Sequence, residues 1–158
     1  MGRFTPVELA TGVALLGSVA AVAVPTFARE VHASRFVEPT QGLTRIGVAA
    51  VAHAEQQGGF PESAPLTPSA PPRGKKEVDP PGTWDLPTWK ALAFTPAPEG
   101  APHAYAFSFD SSPTEFVAQA RGDLDGDGIL SMFEIRGSLR PGESPRVEPG
   151  MYVEAELE

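Results

Sequence analysis

At 158 residues the chain has room for about one domain, and its 18 prolines and 16 glycines, about a fifth of the residues against a usual eighth, exclude an evenly packed globule along its whole length. It has no cysteine, which excludes a disulfide framework, thiolate zinc and a thiol nucleophile. The net charge of −8 lies wholly beyond residue 57, and an acidic body repels phosphate backbones, so no nucleic-acid partner is expected and cations are the better small partners.

From Leu9 to Ala28 the chain has 20 residues without a charge. At ~1.5 Å per residue that is the length a helix needs to cross a bilayer. The run is rich in Ala, Val and Gly, and Gly12, Gly17 and Ala21 would let a second helix approach closely. Pro25 removes a backbone donor near the far end and is expected to kink or loosen the helix. Glu8 stands at the head of the segment, between Val7 and Leu9. It reads either as a carboxylate at the headgroup level or as one placed in apolar surroundings to meet a positive partner during assembly; position alone leaves both open. The same stretch also fits a secretory signal peptide, with Arg3 as its positive region, Leu9–Val24 as its apolar core and Thr26-Phe27-Ala28 as its cleavage site. The acidic Glu8 and the pattern continuing beyond Ala28 count against that fit.

The sequence Phe4-Thr5-Pro6-Val7-Glu8-Leu9, followed by the Ala/Val/Gly-rich run and Pro25, resembles the N-terminus of type IV pilins and pseudopilins. The resemblance implies a short leader (residues 1–3) removed by a prepilin peptidase, with Phe4 as the N-methylated first residue of the mature chain. It implies that Glu8 neutralises the N-terminal amine of a neighbouring subunit as helices bundle, and that Pro25 is the helix-kinking proline. Implied partners are homologous pilin subunits and an inner-membrane assembly platform. The implied location is a single pass in the inner membrane before assembly, then the pilus, cell surface or periplasm. One departure from the family pattern is that Arg3, not glycine, precedes Phe4, with Gly2 one place earlier.

Residues 26–57 continue the helix in amphipathic form, with apolar side chains at Phe27, Val31, Phe36, Leu43, Ile46, Ala50 and Ala54. Pro39 and Gly42 predict a bend, and Gln56-Gln57-Gly58-Gly59 a stop. Residues 58–102 read as a connecting loop, because 11 of the 18 prolines fall between 61 and 102 and proline cannot donate to a central ladder. Trp84, Leu86, Trp89, Leu92 and Phe94 are expected to anchor that loop on the core through a short turn or helix. Residues 103–158 read as an antiparallel sheet. Tyr105, Phe107 and Phe109 alternate with small residues, Phe116, Ala118 and Ala120 repeat the pattern, and Met151, Val153, Ala155 and Leu157 alternate with polar neighbours. The expected fold is α+β, a long N-terminal helix (residues 4–57, membrane-spanning over 9–28) packed on a small antiparallel sheet. Thr83-Trp84-Asp85-Leu86-Pro87-Thr88-Trp89-Lys90-Ala91-Leu92 and Gly150-Met151-Tyr152-Val153 also look like one branch of fimbrial pilin-like proteins.

Residues 123–134 match the twelve-residue calcium loop of an EF-hand. Calcium takes about six to eight hard oxygens, more than one local carboxylate supplies. Asp123, Asp125 and Asp127 would give side-chain oxygens, Ile129 its carbonyl, Ser131 a direct or water-mediated contact, and Glu134 both oxygens to close the cage. The alternative is an acidic surface turn without an ion, which explains Gly126 and Gly128 but not Glu134. No EF-hand helices flank the loop: residues 115–121 alternate like a strand, and Gly137 and Pro141 leave space for only one or two helical turns after it. The expected role is structural, with calcium ordering the sheet edge at an affinity of about 10⁻⁴–10⁻³ M.

No catalytic set is present in the sequence. His32, His53 and His103 have no metal or triad spacing and read as solvated or capping histidines, and no phosphate loop, dinucleotide fingerprint or nucleophile elbow occurs. The expected function is therefore non-enzymatic: a structural subunit of a type IV pilus-like filament stabilised by calcium. The alternatives are a type II secretion pseudopilin, or an exported calcium-binding module with a cleaved signal peptide.

Overall fold

The structure, a computed structural model, describes residues 5–155, with side chains described at all of these except 9 and 25–35. The expectation for Phe4 and the leader, for Leu157, and for the side chain of Pro25 therefore lies outside the described residues. The first element is helix α1, Pro6–Gln57, 52 residues long. The chain divides into two units, Met1–Phe36 and Val37–Glu158, so α1 contributes its first part to one and its second part to the other.

In the first unit Val7, Val13 and Leu16 of α1 lie exposed, at 74%, 69% and 73%. In the second unit Leu43, Ile46, Ala50 and Ala54 are buried, at spacings of three and four that align them on one helical face. Helix α1 runs on through Pro39 and Gly42, the place where a bend is expected. Pro39 is fully buried. At Gly42 an added Cβ would lie 2.6 Å from the Phe107 ring. The glycine is there for close approach of helix and sheet, which is a different physical use of the residue from breaking a helix.

Residues beyond α1 form strand β1 (Ala64–Thr67), a short helix α2 (Pro87–Ala91), then β2 (Tyr105–Ser111), β3 (Glu115–Gly122), β4 (Ser131–Ser138), β5 (Arg146–Val147) and β6 (Tyr152–Glu154). The strands run β1-β2-β3-β4-β5, every pairing is antiparallel, and β6 also pairs with β4. The α+β expectation is met at this level. The proline-rich stretch is not loop throughout: it carries β1 and α2. Its strand sits at the sheet edge, where proline's missing donor costs no ladder bond.

The aromatic face of the sheet meets α1 and the α2 region. Phe107, Phe109, Phe116 and Phe133 are buried together with Ile135. Phe94 meets Phe107 edge-on at 5.0 Å between ring centres, and Phe60 meets Phe116 at 4.9 Å. Of the five expected loop anchors, Trp89, Leu92 and Phe94 are buried, Trp84 is half-buried, and Leu86 is exposed. Trp89 also donates through Nε1 to Thr67 Oγ1 at 3.0 Å, tying α2 to β1. Polar contacts complete the attachment. Glu38 of α1 accepts the backbone N–H groups of Ala104 and Tyr105 at 2.7 and 3.0 Å, and Arg45 donates to the Pro96 carbonyl while lying over the Phe94 ring. Among the described residues after 150, β6 pairs with β4 over three exposed residues.

Candidate functional site

Two places in the chain carry the sequence expectations. The first is the head of α1. Residues Pro6–Val24, 19 in all, make a helix long and apolar enough to cross a membrane or to serve as a signal sequence, and none of it is buried within the chain. Its hydroxyls are satisfied internally: Thr11 donates to the Val7 carbonyl at 2.9 Å and Ser18 to that of Ala14 at 2.8 Å. Such back-bonding makes a hydroxyl tolerable where water is absent.

Glu8 has a local partner at this helix start. Its Oε2 accepts from the Thr5 backbone N–H at 2.8 Å and from Thr5 Oγ1 at 2.9 Å, while Thr5 Oγ1 accepts from the Glu8 N–H at 3.3 Å. With Pro6 in the first helical position this is a capping box, Thr5 as N-cap and Glu8 as its third-residue partner. The signal for it, a threonine three residues before a glutamate, stands in the sequence beside the two uses expected of Glu8.

The second place is the loop between β3 and β4. Asp123, Asp125 and Asp127 each bring a carboxylate oxygen within 4.8 Å of the others. The backbone positions them. Gly126 and Gly128 adopt φ of 85° and 96°, which only glycine takes freely. Asp125 Oδ1 accepts from the Asp127 N–H at 3.1 Å, and Asp127 Oδ1 from the Ile129 N–H at 2.7 Å. Asp123 differs from its neighbours: its side chain is fully buried, Oδ1 accepts from the Gly126 N–H at 2.8 Å, and Oδ2 has no hydrogen-bond donor. A buried carboxylate oxygen with no donor is costly, and a hard cation relieves that cost. By this test the three aspartates fit a calcium-like ion.

Of the other expected ligands, Glu134 is not among the carboxylates gathered there. Ile129, expected to give its carbonyl, has an exposed side chain. Ser131 is buried and donates its hydroxyl to the Gly122 carbonyl at 3.2 Å, closing the base of the hairpin. Glu134 stands opposite Gln119 in the β3–β4 ladder, three residue pairs from the Gly122–Ser131 pair at the loop's base, or about 10 Å at a strand's rise per residue. Its oxygens are occupied by Gln119 Nε2 at 2.7 Å and by Arg136 Nε at 2.8 Å. The reason is the element that follows: a helix would carry residue 134 back over the loop, whereas β4, where the sequence pattern predicted at most a helical turn or two, carries it away. Burial alone would push the Glu134 carboxyl up, but the Gln119 and Arg136 hydrogen bonds and the Arg136 charge outweigh it and hold it below the ordinary carboxylate range.

Sequence reasoning missed the residues that meet the loop from far along the chain. Gly74 N–H donates to the Asp123 carbonyl at 2.8 Å, and Arg73 Nε lies 3.8 Å from Asp123 Oδ2. It also missed His103, which is buried, with Nε2 2.6 Å from Asp79 Oδ2 and Nδ1 2.9 Å from the Tyr105 carbonyl. Trp84 Nε1 donates to the same Asp79 oxygen at 2.6 Å, so this group pins the proline-rich segment to the start of β2.

Comparison with protein-family models, with curated proteins and with solved structures gives no match.

Proposed function

We propose that this chain is a structural subunit of a type IV pilus-like filament, held in the inner membrane by α1 before assembly and packed into the filament by the same helix. The observation that carries the reading is the 19-residue apolar start of α1, unburied within its own chain, continuous with a stretch that packs on an antiparallel sheet. Apolar surface of that extent is stable only in lipid or against other apolar helices. The small residues Gly12 and Gly17 favour the second environment as the final one, because among the described residues nothing lies within 4 Å of where a Cβ would stand on either. On this reading the partners are homologous subunits, a prepilin peptidase acting before Phe4 and an inner-membrane assembly platform. Calcium on the β3–β4 loop stabilises the sheet unit.

Glu8 separates assembly from helix capping. In Glu8→Gln the amide still serves the capping box but carries no charge. The expected result is normal membrane insertion with loss of filament incorporation, read by shearing filaments from cells and quantifying the subunit in filament and membrane fractions. N-terminal sequencing of the mature protein is expected to begin at Phe4. A start at Arg29 would mean ordinary secretion and would end the filament reading.

A further inference from the structure

We propose that Arg73 is the resident counter-cation of the β3–β4 loop and that a hard divalent cation occupies the loop by displacing it. The proposal rests on the calcium reading above and adds a competitor from a segment about 50 residues earlier in the chain.

Three aspartates crowded in one loop repel each other, and some positive charge must offset them. Arg73 is the basic side chain that pairs with this cluster among the described residues. It is brought there by backbone: Arg73 bridges Asp123 in a parallel pairing, and the following Gly74 donates to the Asp123 carbonyl. Gly74 has a φ of 63°, and a Cβ there would come within 3.3 Å of the Asp125 carbonyl oxygen, so the crossing is built for close contact.

The pairing is nevertheless incomplete. Arg73 Nε is 3.8 Å from Asp123 Oδ2, beyond hydrogen-bond reach, and that oxygen has no donor although its side chain is fully buried. The Arg73 side chain is 76% exposed, so it can swing into solvent without leaving a cavity. A divalent ion at this oxygen brings twice the charge and binds at a much shorter distance. Glu134 takes no part, because its oxygens are held on β4 by Gln119 and Arg136.

Arg73 therefore acts in two opposite directions: it steadies the metal-free loop and it opposes the metal. An exposed ion pair of this kind corresponds to an affinity change of about 1.4- to 5-fold. The test is calorimetric titration of the full chain in detergent micelles with calcium chloride alone, beside thermal melts with and without calcium. Arg73→Ala is expected to bind calcium about 1.4- to 5-fold more tightly than the unaltered chain while melting lower in its absence. Arg73→Gln, which keeps most of the stem, is expected to do the same and guards against a folding failure. Asp123→Asn is expected to abolish binding, and Glu134→Gln to leave it unchanged. Equal calcium affinity in the unaltered chain and both Arg73 variants would overturn the competition while leaving the calcium loop standing. No binding in the unaltered chain or in either variant would overturn the calcium reading, and the competition with it.

Discussion

The two parts of α1 use similar residues in opposite ways. Before residue 25, Val13, Leu16, Val19 and Val22 are each about two-thirds exposed or more. After residue 36, Leu43, Ile46 and Ala50 have no exposed surface. Glycine divides the same way: Gly12 has nothing within 4 Å of a would-be Cβ, whereas Gly42 has the Phe107 ring at 2.6 Å. The second part has its partner in its own chain, the aromatic face of β2 to β4. Among the described residues before 25, apolar side chains such as Val13, Leu16 and Val19 lie exposed, and on the proposed reading their cover comes from outside the chain. On the proposed reading, the difference teaches that one helix can be half a folding element and half an interface.

The comparison breaks most readily through large-to-small changes. Ile46→Ala is expected to lower the stability of the sheet unit by about 2–5 kcal/mol, from lost burial plus the cavity left behind. Leu16→Ala is expected to change it by no more than about 0.5 kcal/mol, as for an exposed site, yet to weaken filament incorporation. Denaturant unfolding in micelles, followed by tryptophan fluorescence from Trp84 and Trp89, reads both. A multi-kcal/mol loss in Leu16→Ala would show that the first part of the helix is packed within the chain after all.

Small-to-large changes sharpen the same contrast at lower cost. Gly42→Ala must push the Phe107 ring or the helix aside and is expected to cost about 1–3 kcal/mol. Gly12→Ala meets open space and gains up to about 1 kcal/mol of helix propensity in the isolated chain. If Gly12 lies against a neighbouring helix, the same methyl group reduces assembly. A chain stabilised in micelles but poorly assembled is the expected combination.

The β3–β4 ladder provides a pH-dependent case. The Glu134 carboxyl is held below its ordinary 4.5 in the folded chain, so its contribution is fully present above that value and is lost as pH falls through the lower, folded one. Thermal melts from pH 6 downward are expected to show a falling midpoint, and Glu134→Gln to flatten that fall while costing about 1–2 kcal/mol at pH 7. An unchanged acid limb in the variant would assign the loss to other carboxylates.

Much of the architecture was legible because it rests on periodicity. Leu43, Ile46, Ala50 and Ala54 announce a helix face, and Phe107 with Phe109, then Phe116 with Ala118 and Ala120, announce two strands. The acidic loop was legible as a place but not as a ligand set. The spacing of Asp123, Asp125, Asp127 and Glu134 is that of a loop leading into a helix, whereas Phe133 and Ile135, buried on one face of β4, alternate as in a strand within the same stretch. Arg73 with Asp123, and Asp79 with His103, were illegible for another reason. They depend on where a proline-rich segment crosses the sheet edge, and no local pattern encodes a meeting of residues tens of positions apart. Glu8 shows the reverse: its capping partner Thr5 lies three residues before it, a spacing that local sequence encodes fully.

The smallest expected effect tests whether the two parts of α1 are energetically separate. Thr5→Ala removes the hydroxyl that donates to Glu8 Oε2 and accepts from the Glu8 N–H, a cap worth about 1 kcal/mol. That loss should be confined to the first turn, because helix ends fray locally and the sheet unit makes its own contacts. Hydrogen exchange should therefore quicken at the amides of the first turn, while exchange at Leu43, Ile46 and the β2–β3 ladder stays within error of the unaltered chain. Faster exchange throughout the ladder would mean that capping energy at Thr5 is transmitted to the sheet, and the division of the helix into interface and folding element would fail at its most sensitive point.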